Sequence, residues 1–139
     1  MFHMKHIQYV AGFFDGEGCV TFCCAGRGYG IPRAGINNTD RRPLEEVHKM
    51  FGGGIVSVRQ GGRRKDSWGW HVHGRDLERF LRSIQPHVLT KRNQVDLALE
   101  YIDWRRSDGL KPFARMSEAQ KIVASQFATR LTTLNKRGS

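Results

Sequence analysis

Residues 9–18, with the sequence YVAGFFDGEG, constrain the fold more than any other part of the chain. Gly12 and Gly16 are four residues apart, so on a helix they share one face, where the lack of side chains lets another backbone approach closely. The glycine-rich sequence DGEG then favours an end to that helix. The carboxylates of Asp15 and Glu17 fall at this end, where a second helix can meet the first. A carboxylate in such a position is suited to hold a metal ion.

The chain has 139 residues and a strongly positive charge. It contains 23 Lys and Arg residues against 13 Asp and Glu residues, which gives a formal net charge of +10. A small domain does not need such an excess for solubility, and nucleic acid is the usual polyanionic partner of a basic domain. The length predicts one domain over residues 1–139.

The sequence also favours an intracellular location. No apolar run is long enough to span a membrane, and the start MFHMKHIQ lacks the apolar stretch of a secretory signal. The three cysteines are too few and too closely spaced for a disulfide framework, which favours a reducing compartment. Abundant Gly and Arg favour a bacterial or phage cytoplasm, with an organelle as the alternative.

Hydrophobic periodicity predicts an α+β fold with helix, two strands, helix, two strands and further helices in that order. We expect a four-stranded antiparallel sheet with helices packed on one face. The predicted helices cover residues 7–15, 75–84, 91–104 and, after a cap at Ser117, residues up to about 134. One further helix is predicted to begin after a cap at Thr39 or Asp40 and to end at the glycines of residues 52–54. The predicted strands cover residues 19–25, 31–38, 55–59 and 68–73.

Alternation along these strands separates a face covered by helices from an open face. The expected covered set is Val20, Phe22, Val56, Val58, Trp68 and Trp70, although the third strand is ambiguous because Ile55 and Arg59 have the same parity. A basic strand surface can enter the DNA major groove. The residues expected to contact DNA are Thr21, Cys23, Arg27, Arg33, Arg59, Arg63, Arg64, Lys65 and His71. The loop cluster within this set, residues 63–65, is suited to phosphate contacts.

The segment from Val10 to Gly18 aligns without a gap with the LAGLIDADG motif, and the chain thereby resembles the homing endonucleases. The predicted element order is similar to the fold of that family, and the sequences FGGG, WGWHV and PHVLTKRNQ look like its landmarks. The resemblance covers about residues 7–104 and leaves a helical extension, about residues 105–139, without a counterpart. It implies a site-specific DNA endonuclease that hydrolyses phosphodiester bonds with the help of a divalent metal.

The resemblance implies a metal site at the end of the motif. Glu17 corresponds to the family's metal-binding acid, and the carbonyl of Gly18 is a further candidate ligand, whereas Asp15 corresponds to an acid that is mainly structural. The implied cofactor is Mg²⁺ in a two-metal site, for which Mn²⁺ or Ca²⁺ can substitute in binding.

The remaining catalytic candidates also come from the resemblance. Lys91 resembles the basic residue that polarises water or stabilises the charged phosphate, and Gln94 resembles a polar residue near it. Asn38 resembles the residue that orients the water network, with Asn37 as the competing alignment. The neighbouring arginines, residues 41 and 42, are candidates for a second basic group.

A single copy of the motif implies a homodimer, because one acid and one sheet can serve only half of a site. The expected interface consists of Val10, Gly12, Phe13 and Gly16 on the motif helix. A two-fold dimer reads a near-palindromic target, so the expected reaction is a double-strand break in a long DNA site.

Two other classes of protein compete with the endonuclease. The first is a non-catalytic nucleic-acid-binding protein of the same family, either a maturase that assists intron RNA splicing or a DNA-binding regulator, in which Glu17 would be dispensable. The second is a generic basic RNA-binding α+β domain, which is disfavoured because no strand carries paired surface aromatic residues.

Overall fold

A computed structural model describes residues 2–23, 30–58, 66–111 and 114–137, without the side chains of residues 2–5, 23 and 137. The elements follow the predicted order and differ from the predicted bounds by a few residues. The helices are α1 (Phe2–Glu17), α2 (Arg41–Phe51), α3 (Gly74–Ile84), α4 (Arg92–Ser107) and α5 (Glu118–Arg137). The strands are β1 (Gly18–Cys23), β2 (Ile31–Asn38), β3 (Gly54–Val58) and β4 (Ser67–Val72). None of the helices in the described part of the chain is long and apolar enough to cross a membrane.

The four strands form one antiparallel sheet in the order β1-β2-β4-β3. Helices cover one face of this sheet, which confirms the predicted α+β class. The strand residues buried beneath the helices are Val20, Ala34, Ile36, Trp70 and Val72. Alternation then places the intervening strand residues on the opposite face, which is called the open face below.

In the third strand, Val56 and Val58 lie on the open face, whereas the sequence predicted that helices cover them. Ile55 pairs with Trp70, and Val56 pairs with Gly69. Directly opposed residues of antiparallel strands point to the same side of the sheet, so Ile55 shares the covered side with the buried Trp70. Val56 lies on the open face and is 50% exposed. The prediction that Val56 and Val58 are covered was therefore wrong.

The glycines after α2 join the helix to the sheet. Gly52 and Gly53 have φ angles of 75° and 81°, a backbone region that favours glycine. The indole nitrogen of Trp70 donates a hydrogen bond of 2.8 Å to the carbonyl of Gly52, and a Cβ at Gly53 would lie 2.4 Å from the carbonyl oxygen of His71. The sequences FGGG and WGWHV thus belong to one packing unit.

Helix α5 packs onto α4 and onto β1, at the edge of the sheet. Its start is closed by a reciprocal cap, in which the Gln120 backbone N–H donates to Ser117 Oγ and the Ser117 N–H donates to Gln120 Oε1. Phe127 packs edge-on against Tyr101. Near the end of α5, the Asn135 side-chain amide donates a 3.1 Å bond to the carbonyl of Val20. The predicted extension therefore shares the core of the domain.

Candidate active site and nucleic-acid interface

Glu17 is the last residue of α1, and its side chain is exposed. The turn into β1 requires glycine at the next position, because a Cβ at Gly18 would lie 2.3 Å from a ring carbon of Phe14 and 2.7 Å from its carbonyl oxygen. The final carbonyls of a helix lack intrahelical partners and form the negative end of its dipole. A carboxylate and backbone carbonyls therefore come together here, and oxygen donors of this kind suit Mg²⁺.

Asp15 is engaged in holding the loop before α4. Its carboxylate accepts hydrogen bonds from the backbone N–H groups of Leu89 (3.1 Å), Thr90 (3.0 Å) and Lys91 (2.8 Å). Burial opposes ionisation of this carboxyl, but the three N–H donors and the charge of Lys91 outweigh it, so the pKa of Asp15 is lowered. This acid fixes one segment to another, as the resemblance implied.

Lys91 is partly buried at the start of α4, beside the end of the motif helix. Its Nζ donates a 3.2 Å hydrogen bond to the carbonyl of Asp15, in the last turn of α1. A cation is favourable at this negative end of a helix. The ammonium group therefore lies at the same end of α1 as Glu17.

Gln94 does not share this position. It is 2% exposed, and its side-chain amide donates a 3.4 Å bond to the carbonyl of Leu134 in α5. The structure places Gln94 in the packing between α4 and α5 and not at an aqueous catalytic site.

The two candidate asparagines at the end of β2 lie on different sides of the sheet. Asn38 pairs with Trp68, and its Oδ1 accepts a 2.8 Å bond from the backbone N–H of Asp40, so it forms the turn into α2. Asn37 pairs with Gly69 on the open face and is exposed. The competing alignment, with Asn37, is the one that places an amide on the open face.

The two candidate arginines at the start of α2 form ion pairs with acids that are close to them in sequence. Arg42 forms a 2.7 Å ion pair with Asp40, and this hydrogen bonding lowers the pKa of the Asp40 carboxyl to about 2. Arg41 pairs with Glu45 at 2.8 Å and lies over the Trp68 ring, 4.7 Å from its centroid.

The open face brings together part of the predicted DNA-binding set. Thr21 pairs with Arg33, and His71 pairs with Gly35, which places these side chains on adjacent strands. Burial, the charge of Arg33 and the charge of His73 lower the pKa of His71. This lowered pKa favours the neutral form of the His71 imidazole, which can both donate and accept a hydrogen bond.

The thiol of Cys19 was not among the predicted contacts, although it occupies the same open face, opposite Gly35. Burial raises the pKa of this thiol, against the charges of Lys91 and Arg33. The charges of both cations therefore act on Cys19. The remaining predicted contacts, Arg27, Arg59, Arg63, Arg64, Lys65 and the side chain of Cys23, lie outside the described residues.

The outer surface of α1 contains both motif glycines. A Cβ added at Gly12 or Gly16 would meet nothing within 4 Å. Phe13 is partly buried and stacks on Tyr9, which is 56% exposed, with ring centroids 6.1 Å apart. Val10, which was expected at an interface, is 1% exposed and belongs to the core of its own chain. Tyr9, Gly12, Phe13 and Gly16 form what is called the glycine face below.

No group of three or more His, Cys, Asp or Glu side chains lies close enough to hold a metal ion within the described part of one chain.

Comparisons with solved structures find LAGLIDADG proteins. The homing endonuclease I-CvuI is 21% identical with a TM-score of 0.78, over 96% of this chain and 85% of that one. For the homing endonuclease I-TnaI, the identity is 20% and the TM-score 0.67, over 96% and 97% of the two chains. The LAGLIDADG meganuclease I-AabMI is 15% identical with a TM-score of 0.68, over 90% of this chain and 44% of that one. No protein-family model and no curated protein sequence matches.

The arrangement of an antiparallel sheet behind a glycine-rich motif helix thus defines a known class of α+β domain. The chain has the fold of the LAGLIDADG homing endonucleases, and the resemblance carried by its motif is confirmed. Because the match to I-CvuI covers 96% of this chain, it extends beyond residue 104 into the region for which the sequence offered no counterpart.

Proposed function

We propose that this protein is a site-specific DNA endonuclease that acts as a homodimer and makes double-strand breaks in a long, near-palindromic site. One observation carries the proposal: the exposed carboxylate of Glu17 lies where the glycine face of α1 meets the open face of the sheet. An acid for hydrolysis, a surface for a second chain and a surface for DNA are thus adjacent.

Double-stranded DNA is the proposed substrate. The net charge of +10 favours a polyanion, and the open face presents Thr21, Arg33, Asn37 and His71 on neighbouring strands. Among the structures with this fold, I-CvuI was solved in complex with its target, and I-AabMI was solved bound to uncleaved DNA. Strands of this kind read DNA in the major groove.

Glu17 and the carbonyl of Gly18 are the groups that would hold Mg²⁺, since both offer oxygen donors at the negative end of α1. When bound, a divalent cation supplies an activated water and neutralises charge on the scissile phosphate. Lys91 adds a positive charge at the same end of the helix, and Asp15 fixes its backbone there. Because each chain contributes one such acid, the two-metal site that we propose needs a second chain.

The glycine face of α1 is the proposed dimer interface. Gly12 and Gly16 leave open space in which a second helix can approach, while Tyr9 and Phe13 offer exposed aromatic surface beside them. This chain matches 44% of the I-AabMI chain over 90% of its own length. A dimer of this chain would therefore have about the extent of that longer protein.

Cleavage of a randomised DNA library in the presence of Mg²⁺ tests the proposal. We expect the wild-type chain to select and cut a defined site, and Glu17→Gln to lower the cleavage rate by about 10²-fold to 10³-fold or more. Binding in Ca²⁺ should be retained, because the substitution keeps the shape of the side chain. Glu118→Gln, an exposed residue at the start of α5, is the matched control and should cut like the wild type.

If Glu17→Gln cleaves as fast as the wild type, the catalytic assignment fails. If both the wild type and Glu17→Gln bind DNA selectively but neither cleaves it, the protein is a non-catalytic nucleic-acid-binding protein and not an endonuclease.

A further inference from the structure

Asn37 and Val56 lie side by side on the open face, across a strand position that has no side chain. Gly69 of β4 pairs with Asn37 of β2 on one side and with Val56 of β3 on the other. A Cβ at Gly69 would lie 2.7 Å from Asn37 Oδ1 and 3.7 Å from Val56 Cγ2. The amide and the methyl group therefore both border the gap that Gly69 leaves.

These two side chains are exposed and chemically different. Asn37 presents a carbonyl acceptor and an amide donor. Val56 presents methyl groups on the open face and is 50% exposed. Its methyl groups are therefore available for an apolar contact with a partner outside the chain.

The major-groove edge of an A·T base pair offers the complementary groups. Adenine presents the N7 acceptor and the N6 amino donor, which an asparagine amide can bind in a bidentate manner. Thymine presents a C5-methyl group that accepts apolar contacts. A G·C pair offers no methyl group, and its guanine presents two acceptors in place of the acceptor and donor with which adenine matches one amide.

We propose that Asn37 and Val56 together read one A·T base pair in each half of the DNA site, with the Asn37 amide on adenine and the Val56 methyl groups on thymine. Gly69 makes this possible, because any side chain there would collide with the Asn37 amide and fill the gap. The inference rests on the proposed function, since it assigns base contacts to the DNA-binding face.

The experiment uses the full chain in Ca²⁺ with DNA selected from a randomised library. Asn37→Ala and Val56→Ala should each relax the preference at the same base pair of the half-site, where the wild-type chain selects A·T. For Asn37→Ala we expect discrimination against G·C to fall by about 5-fold to 150-fold. Val58→Ala is the matched control, because it removes the same methyl groups from the same strand and open face.

Replacing thymine with deoxyuracil at that base pair removes only the C5-methyl group. The wild type, Asn37→Ala and Val58→Ala should lose affinity on the deoxyuracil site, by about 2-fold to 5-fold. Val56→Ala should bind both sites equally. This pattern isolates the contact between Val56 and the methyl group from any general loss of binding.

The inference is overturned if Val56→Ala keeps the wild-type response to deoxyuracil, or if the two variants shift different base pairs. It is also overturned if Asn37→Ala, assayed in Mg²⁺, slows cleavage of all sequences without changing their ranking, which would assign Asn37 to the reaction. Failure of the wild-type chain to select any sequence contradicts the proposed function itself, so the two failures are distinguishable.

Discussion

At the scale of single residues, the two acids of the motif have different surroundings. Asp15 accepts three backbone N–H bonds from the loop before α4, whereas Glu17 projects from the helix end and is exposed. A carboxylate engaged in several hydrogen bonds holds structure, and a solvated one is available to a cation and a substrate. The spacing of two residues separates these roles, because it turns the side chains to different sides of α1.

The role of Asp15 predicts a pH-dependent contribution to stability. Its folded-state pKa is lowered from 3.8, so its contribution is full above that pH and is lost as the pH falls through the folded-state pKa. At neutral pH we expect Asp15→Asn to lower the free energy of unfolding by about 1 kcal/mol, a modest value because water reaches the site. Urea unfolding should show this difference from the wild type shrinking below pH 3.8.

Asp66→Asn, at an exposed position just before β4, is the control for general charge effects. A constant difference between Asp15→Asn and the wild type at every pH would contradict the ionic role of Asp15.

At the scale of elements, the glycines of the motif differ in whether their surroundings leave room for a side chain. At the junction of α1 with β1, Gly18 has no such room, whereas Gly12 on the outer surface of α1 does. A Cβ at Gly18 would lie 2.3 Å from the Phe14 ring, and that ring cannot retreat because it packs edge-on against Phe80 at 5.2 Å. A Cβ at Gly12 meets nothing within 4 Å. Two glycines of one motif thus serve different purposes, one in the core of the chain and one on its surface.

We therefore predict opposite effects of two alanine substitutions on the isolated chain. Gly18→Ala should lower the free energy of unfolding by about 3 kcal/mol through overpacking. Gly12→Ala should raise it by about 1 kcal/mol, because alanine is the better helix former. Urea unfolding at concentrations where the chain is monomeric measures both. Equal destabilisation by the two variants would contradict the structure of this junction.

Local signals in the sequence were sufficient for most of the element order. The cap at Ser117 was predicted because the groups that form it are neighbours in the chain, and β2 was predicted with its observed bounds. The face of β3 was not, because Ile55 and Arg59 have the same parity and only pairing with Trp70 decides between them.

The candidate site was also only partly predictable from local signals in the sequence. The exposure of Glu17 follows from the motif itself, but the burial of Val10 does not, because apolar residues occur all around α1 and periodicity cannot select a side. The burial of Gln94 was not predictable for a related reason: its partner, the carbonyl of Leu134, is supplied by α5 from the far end of the chain. The strand register was needed to show that Asn37 lies on the open face and Asn38 on the covered side.

At the scale of the whole molecule, the position of α1 determines how two chains would combine. The glycine face lies at one side of the domain, and Glu17 marks where it meets the open face. A two-fold axis beside α1 would bring two Glu17 residues together and align two open faces into one longer surface. That surface would be positively charged, since each chain contributes +10, and its symmetry would match a near-palindromic DNA site.

A leucine on the glycine face separates folding from assembly. In Gly16→Leu the new side chain points into open space in its own chain, so circular dichroism and the unfolding midpoint should stay near those of the wild type. In a dimer the same side chain would occupy the volume of the partner helix. We expect Gly16→Leu to sediment as a monomer on the selected DNA and to lose double-strand cleavage by about 10²-fold or more, since a misplacement near the reacting groups has such effects. Ser125→Leu, at an exposed position on α5, adds the same apolar side chain elsewhere and should remain a dimeric, active protein. A dimeric and fully active Gly16→Leu would show that the two chains meet through another surface.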